Sequence, residues 1–228
     1  MTRLLGIWLA VDTNSSRNVN LSIHVVARGY GVDVSKYVAL EGVDGSGKST
    51  VATALVDRLN ASGKPAILVR EPGGTPLGEK VRELLLDSDS LEDWAEVFLF
   101  AAQRAELASR VIRPALDAGS WVVADRSYYS SIAYQGRGRG LGEGRVRTIN
   151  EAGLGGVVPD LVFVLDVDPE LAHDRQERPD RIGREGVEFQ AEVRAAYLDL
   201  AEAEERVHVL DGNRSVDDLV EVILGVAV

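Results

Sequence analysis

The sequence predicts a three-layer α/β fold, with a parallel five-stranded sheet flanked by helices. Two observations carry that expectation. From Tyr37 to the C-terminus, short apolar segments alternate with segments whose apolar residues recur at helical spacing. The apolar segments are also continuous, as strands buried on both faces are, rather than interleaved with polar residues. No internal repeat or linker divides this stretch, so residues 37–228 are expected to form one domain.

The elements follow in order. Residues 37–41 form a short apolar strand before a Gly-rich turn, and residues 49–60 a helix with Val51, Leu55 and Leu59 on one face and Gly63 as its stop signal. Residues 66–70 (AILVR) are a second strand, and residues 77–86 a short helix with Leu77, Val81, Leu84 and Leu85 inward. Residues 91–118 read as one long helix, bent by Pro114. Residues 121–125 (WVVAD) and 161–167 are the third and fourth strands. After the fourth, Asp168 is placed to cap a helix that has Pro169 at its first position. Residues 188–203 are helical, 207–210 a fifth strand, and Ser215 caps a final amphipathic helix. In such a sheet, ligands bind beyond the carboxyl ends of the strands. The polar residues there are Glu41, Arg70, Glu71, Asp125, Arg126 and Asp166.

The 228 residues include 25 Lys+Arg and 36 Asp+Glu, a formal net charge of −11, and no cysteine. That length suits one domain burying roughly 70% of its unfolded surface. Without cysteine there is no disulfide, thiolate metal site or cysteine nucleophile, which fits a reducing, cytoplasmic setting. A pI near 4.8 argues against nucleic-acid or anionic-membrane partners, though a small phosphorylated substrate needs only a local cluster of cations. Residues 1–36 read differently from the rest. Their apolar run 4–11 (LLGIWLAV) is too short for a membrane span, which needs about 20 residues, and no A-x-A-like cleavage site follows it. They are expected to be a loosely ordered extension or the product of a misplaced start codon, with a docked extra strand or helix as the further reading.

Gly42-Val43-Asp44-Gly45-Ser46-Gly47-Lys48-Ser49 matches G-x-x-x-x-G-K-[ST] between a predicted strand and a predicted helix. Backbone N–H groups freed by the glycines form an anion nest, and the helix N-terminus adds partial positive charge. Lys48 would reach the β- and γ-phosphates of ATP, and the Ser49 hydroxyl would ligate Mg2+. The architecture is therefore that of a phosphate-loop NTPase or nucleotide kinase. No N-K-x-D for guanine is present and the chain is short for a mechanical ATPase, which leaves a small nucleotide or metabolite kinase.

Three further segments bear on the acceptor: residues 70–75 (REPGGT) with Gly78 and Arg82, residues 99–104 (LFAAQR), and residues 125–136 (DRSYYSSIAYQG). Phe100 and Arg104, four apart, share a helix face, where they can stack on a planar base and donate to its carbonyl. Taken alone, the pair favours the plainer reading, with Phe100 a core residue and Arg104 a surface charge. Arg126 directly follows an apolar strand, where an arginine is costly without an anion nearby. Asp125 either reaches the Mg2+ shell or pairs with an arginine. Ser130, Ser131, Tyr134 and Gln135 gather hydrogen-bonding groups suited to a base edge and a sugar, or are ordinary polar residues of a helix start.

Together with the phosphate loop, the strings EGVDGSGKST, REPGGTPLGEKVRELLL, LFAAQRAE and DRSYYSSIAYQGRGRG resemble the thymidylate kinase family, from about Tyr37 to the C-terminus. The resemblance implies phosphorylation of dTMP to dTDP by ATP and Mg2+, in a homodimer to which the long helix contributes. It implies that Arg70, Arg82 and Arg126 hold the dTMP phosphate and that Pro72 and Phe100 sandwich the thymine. Arg104 and Gln135 would read the base edge with Ser130 and Ser131, and Tyr134 would sit where a ribose 2′-OH projects. Asp44 would touch the sugar 3′-OH or a water on the metal, and Asn213 and Ser215 lie where the family holds adenine.

A lid is expected at about residues 174–187, where Arg175, Arg178, Arg181 and Arg184 recur every three residues. Members of the family carry the arginine that stabilises the transferring phosphoryl group either in the phosphate loop or in the lid. Here the loop has Gly45 and no arginine, so the lid supplies it, with Arg178 and Arg181 the first choices. Two positions depart from the family pattern: Gly183 stands where D-R-I-E has glutamate, with Glu185 a possible substitute, and Ser127 where an aromatic residue or histidine is usual. The alternatives are another nucleoside monophosphate or deoxynucleoside kinase, or a catalytically degenerate nucleotide-binding paralogue.

Overall fold

A computed structural model describes residues 35–176 and 180–228. The expected extension, residues 1–36, lies outside the described residues except for Ser35 and Lys36, as does Arg178 of the lid.

The strands are β1 (Tyr37–Glu41), β2 (Ala66–Arg70), β3 (Trp121–Asp125), β4 (Leu161–Asp166) and β5 (Val207–Asp211). They form one parallel sheet in the order β2-β3-β1-β4-β5, with Leu40 opposite Asp125 on one side and Phe163 on the other. Strand β1 is therefore central and buried throughout, whereas the edge strands β2 and β5 expose Leu68 and Val209. Alternate side chains of each strand leave by opposite faces. Val38, Leu40, Phe163 and Leu165 pack with Val51, Leu55 and Leu59 of helix α1 (Lys48–Ala61) and with Leu219 and Ile223 of α9 (Val216–Ala227). Ala39, Val122, Ala124, Val162 and Val164 pack into the other core, which holds Phe100 and Leu107 of α3 (Asp93–Leu107) and Val193 and Tyr197 of α8 (Val187–Ala203). Two cores on two faces of one sheet make the three layers that the sequence predicts.

Two sequence expectations change. In α2 (Pro76–Asp87) only Val81 and Leu85 point inward; Leu77 and Leu84 are 45% and 52% exposed. The buried stripe is turned toward Gly78, where the lack of a side chain lets the helix pack so closely that an added Cβ would lie 2.6 Å from the Gly73 carbonyl oxygen. The long helix runs unbroken from Asp93 to Asp117 but is not regular. It comprises α3, a π-helical turn at Ala108–Ile112 and α4 (Arg113–Asp117). The irregular turn lies N-terminal to Pro114 because a proline clashes with the carbonyl four residues back, here that of Arg110.

The capping expectations hold. Asp168 accepts from the Glu170 amide at the start of α7 (Pro169–Asp174), and Ser215 from the Asp218 amide at the start of α9. The segment after β3 forms α5 (Tyr128–Ser131), a π-helical turn at Ile132–Gly138 and then α6 (Glu143–Leu154). Among the described residues, no helix is long and apolar enough to cross a membrane.

Candidate functional site

The carboxyl ends of β1, β2 and β3 open into a cavity of about 630 Å³. On one side the phosphate loop leaves β1 and turns into α1. Gly45 has φ +86°, and a Cβ there would lie 2.0 Å from the Ala172 carbonyl oxygen, so the loop passes α7 at a distance only glycine permits. Lys48 is 5% exposed and folds back over the loop, donating to the Val43 carbonyl at 2.8 Å and to Ser46 Oγ at 3.3 Å. Burial, and then the Arg126 guanidinium, lower its pKa to about 8 against the pull of Asp44 and Asp125. Ser49 Oγ stands 2.5 Å from Asp125 Oδ2, so a hydroxyl and a carboxylate share one corner of the cavity. Of the loop, Asp44, Gly45, Gly47, Lys48 and Ser49 face the cavity; Gly42, Val43 and Ser46 lie behind it, where their oxygens hold Arg126 and Lys48.

Arg126 turns the chain out of β3 with φ +76°, an uncommon conformation for a residue with a Cβ. Its amide donates to the Leu40 carbonyl at 3.0 Å. Its guanidinium reaches the Gly42 carbonyl at 3.3 Å, Ser130 Oγ at 3.2 Å and the Asp44 carboxylate, and lies over the Tyr134 ring at 5.2 Å. Burial pushes the Asp44 carboxyl up, but Arg126 and Lys48, with hydrogen bonds from Tyr134 and Gln190, hold it below the ordinary carboxylate range. Behind Arg126, Glu41 is fully buried and does not border this cavity. It accepts from the Ser127 amide and hydroxyl, both at 2.7 Å, from Ser130 Oγ at 2.6 Å and from Tyr197 OH at 2.7 Å. Ser127 thus uses a hydroxyl, bound inward, where the family pattern has a ring.

The opposite wall comes from α3 and the turn after β2. Arg104 is 1% exposed and is no surface charge. Its Nε donates to Glu71 at 2.5 Å and its Nη1 to Ser131 Oγ at 2.6 Å and Asn150 Oδ1 at 2.8 Å. The guanidinium lies 5.1 Å from the Phe100 ring centroid, as the four-residue spacing predicts. Pro72, Phe100, Arg104 and Gln135 all line the cavity. Ser131, expected at the base edge, is fully buried behind Arg104 and does not border the cavity. Arg70 and Arg82 line the cavity, the first paired with Glu79 at 3.0 Å and the second donating to the Pro72 carbonyl at 2.9 Å.

The lid differs most from expectation. Arg181 is buried and turned from the cavity, its Nε on the Leu85 carbonyl at 2.9 Å and its Nη2 on Glu96 at 2.5 Å. Its neighbours Asp180 and Ile182 face the cavity instead, because the same turn cannot present three successive side chains on one side. Glu185, the suggested stand-in beside Gly183, pairs with Arg139 at 2.6 Å. Asp166 is taken by Arg194 at 2.5 and 2.9 Å, and Asn213 accepts from Arg175 at 3.1 Å.

Sequence reasoning missed Glu96, Asn150, Gln190 and Tyr197, whose side chains hold the cavity-facing residues in place. Only Glu96 carried a signal: with Phe100 and Arg104 it makes a run at four-residue spacing on one helix face.

The sequence matches the family model for thymidylate kinase over residues 40–223. Similar proteins named thymidylate kinase include that of Fervidobacterium nodosum, 44% identical over 80% of this chain and 93% of the relative. Those of Halothermothrix orenii and Deinococcus radiodurans are 46% and 45% identical, each over 80% of this chain and 91% of the relative. The match spans the phosphate loop, the aromatic and arginine wall of α3 and the turn after β3, the three segments that meet at the cavity. The chain belongs to the thymidylate kinase family.

Proposed function

We propose that the protein transfers the γ-phosphoryl group of ATP to the phosphate of dTMP, giving dTDP. The observation that carries this is one cavity with two unlike walls: a phosphate loop with Lys48 and Ser49, and across from it Phe100, Arg104 and Gln135 with three more arginines between. Lys48 draws the β- and γ-phosphates of ATP onto the loop amides. Arg126, Arg70 and Arg82 gather the acceptor phosphate, Pro72 and Phe100 enclose the base, and Arg104 and Gln135 read its edge. Tyr134 and Asp44, bonded at 3.3 Å, meet the sugar. The attacking oxygen belongs to a phosphate already anionic at neutral pH, so the chain supplies no general base. Its residues align two anions and offset their repulsion. Arg178 is assigned the transferring group, since Arg181 is engaged with Glu96.

The hard oxygen pair Ser49 Oγ and Asp125 Oδ2 suits Mg2+. When bound, the ion neutralises charge on the donor phosphates. The homodimer reading rests on the family resemblance, with the outward side of α3, where Phe98 is 57% exposed, as the contributing face. We place the protein in the cytoplasm, where its nucleotide substrates are.

An acceptor panel of dTMP, dUMP, UMP, CMP, AMP and thymidine with ATP tests the reading. The expected result is dTMP preferred at least tenfold in kcat/KM. Preference for another acceptor, or tight binding of ATP and dTMP with no dTDP formed, overturns it.

A further inference from the structure

Glu96 sits 1% exposed on α3, one turn before Phe100. Its carboxylate accepts from Gln135 Nε2 at 2.8 Å, from Arg139 Nε at 3.0 Å and Nη2 at 3.3 Å, and from Arg181 Nη2 at 2.5 Å. Burial pushes the Glu96 carboxyl up, but hydrogen bonds from Arg139, Arg181 and Gln135 hold it below the ordinary range, so it is ionised at neutral pH. An ionised carboxylate only accepts hydrogen bonds. The amide of Gln135 must therefore turn its NH2 toward Glu96, an orientation dictated by chemistry rather than by the similar shapes of oxygen and nitrogen. Gln135 lines the cavity, and its Oε1 has no partner among the described residues. The group left to face a ligand is thus an acceptor.

Arg104 is held in a complementary way. Glu71, Ser131 and Asn150 occupy its Nε and Nη1, and Nη2 has no partner among the described residues. The base wall offers one fixed donor and one fixed acceptor. A 4-oxo pyrimidine presents a carbonyl that accepts and an N3–H that donates. A 4-amino pyrimidine presents an amino group that donates and a bare N3 that accepts, the reverse pattern on both atoms. Mismatched polarity leaves buried groups unpaired, which discriminates far more strongly than a difference in size.

We propose that Glu96 is a positioning residue that sets the hydrogen-bond polarity of the base wall through Gln135, and so makes the site select 4-oxo over 4-amino pyrimidine nucleotides. The inference rests on the reading of Gln135 and Arg104 as base-facing. It assigns specificity to a carboxylate that touches no part of the substrate.

The test is the ratio of kcat/KM for dTMP over dCMP, at saturating ATP, in the wild type, Glu96→Gln, Gln135→Met and the double variant. An amide at position 96 can donate as well as accept, which frees the Gln135 amide to turn over. Each single variant is expected to lower the ratio at least tenfold, and the double variant no further than the larger single effect. A wild-type ratio in Glu96→Gln alongside a lowered one in Gln135→Met overturns the role of Glu96 alone. A wild-type ratio in Gln135→Met overturns the base-facing reading beneath it. Additive losses in the double variant also overturn the proposal, because Glu96 would then act by another route. Should Glu96→Gln not fold, Glu96→Asp keeps the charge for both arginines while withdrawing from Gln135, and is expected to lower the ratio likewise. Arg139→Lys loosens one of the two arginine partners of Glu96 and leaves the Gln135 bond in place; its ratio is expected to stay at the wild-type value, and a fall there would reduce Glu96 to a general packing role.

Discussion

The Ser127 hydroxyl stands 2.7 Å from Glu41 Oε1, the oxygen that also takes the Ser127 amide hydrogen. The two bonds grip the residue immediately after Arg126, whose backbone is held at φ +76°. A conformation of that kind persists only where its surroundings over-determine it. Ser127 also accepts from the Tyr129 amide at the start of α5. A buried hydrogen bond and a helix cap are each worth about 1 kcal/mol. Ser127→Ala should therefore lose about 2 kcal/mol in denaturant unfolding and raise KM for dTMP severalfold, with KM for ATP unchanged. Equal rises in both constants would mean that the grip does not act through Arg126.

Gly45 admits no side chain in place. A Cβ would fall 2.0 Å from a backbone oxygen of α7, and the left-handed conformation is costly for any other residue. Gly45→Ala is expected to raise KM for ATP at least tenfold, measured at saturating dTMP. An unchanged KM would show that α7 yields freely, and would reopen the loop to a larger residue.

Arg181 and Arg178 should separate cleanly in mutagenesis. Arg181 is 9% exposed and paired with a carboxylate that is 1% exposed, and breaking such a pair costs about 3–5 kcal/mol. Arg181→Ala should lower the thermal midpoint markedly. Arg178→Ala should keep the midpoint and lose kcat by about 10³-fold, as expected for an arginine acting on the transferring group. The opposite pattern would return Arg181 to the reaction.

Lys48 gives the enzyme an alkaline limb. Its pKa, lowered to about 8 by burial and by Arg126, makes the ammonium the dominant form below that pH and the neutral amine above it. Because kcat/KM reports the free enzyme, kcat/KM for ATP should fall as pH rises through about 8. At saturating ATP, kcat should fall only at higher pH, since bound phosphates favour the charged form. Lys48→Arg, charged throughout, should flatten the limb whatever its absolute rate. A limb that survives this change would belong to another group.

The sheet, its capped helices and the phosphate loop were legible because each rests on local pattern: apolar runs, Asp168 before Pro169, glycines before Lys48. Phe100 and Arg104 were legible as a pair from their spacing, but not the burial of Arg104. That depends on Glu71, Ser131 and Asn150 arriving from three separate elements, which no periodicity encodes. The same limit hid the true place of Arg181. A run of arginines every three residues looks uniform in sequence, and only the carboxylate brought by α3 singles one out. Leu77 and Leu84 misled for a different reason: the inward face of α2 is set by a glycine, which hydrophobic pattern does not count.

In a parallel sheet every strand starts at the same pole, and β1 starts at Tyr37. Just before it, Ser35 Oγ donates to the Leu116 carbonyl and Lys36 Nζ to the Ala227 carbonyl, the latter in the last turn of α9. The described chain thus both begins and ends at the pole remote from the cavity, and Val228 there is 70% exposed. A dye, an affinity tag or a surface tether joined at Val228 is therefore attached at the pole of the sheet opposite the nucleotide cavity.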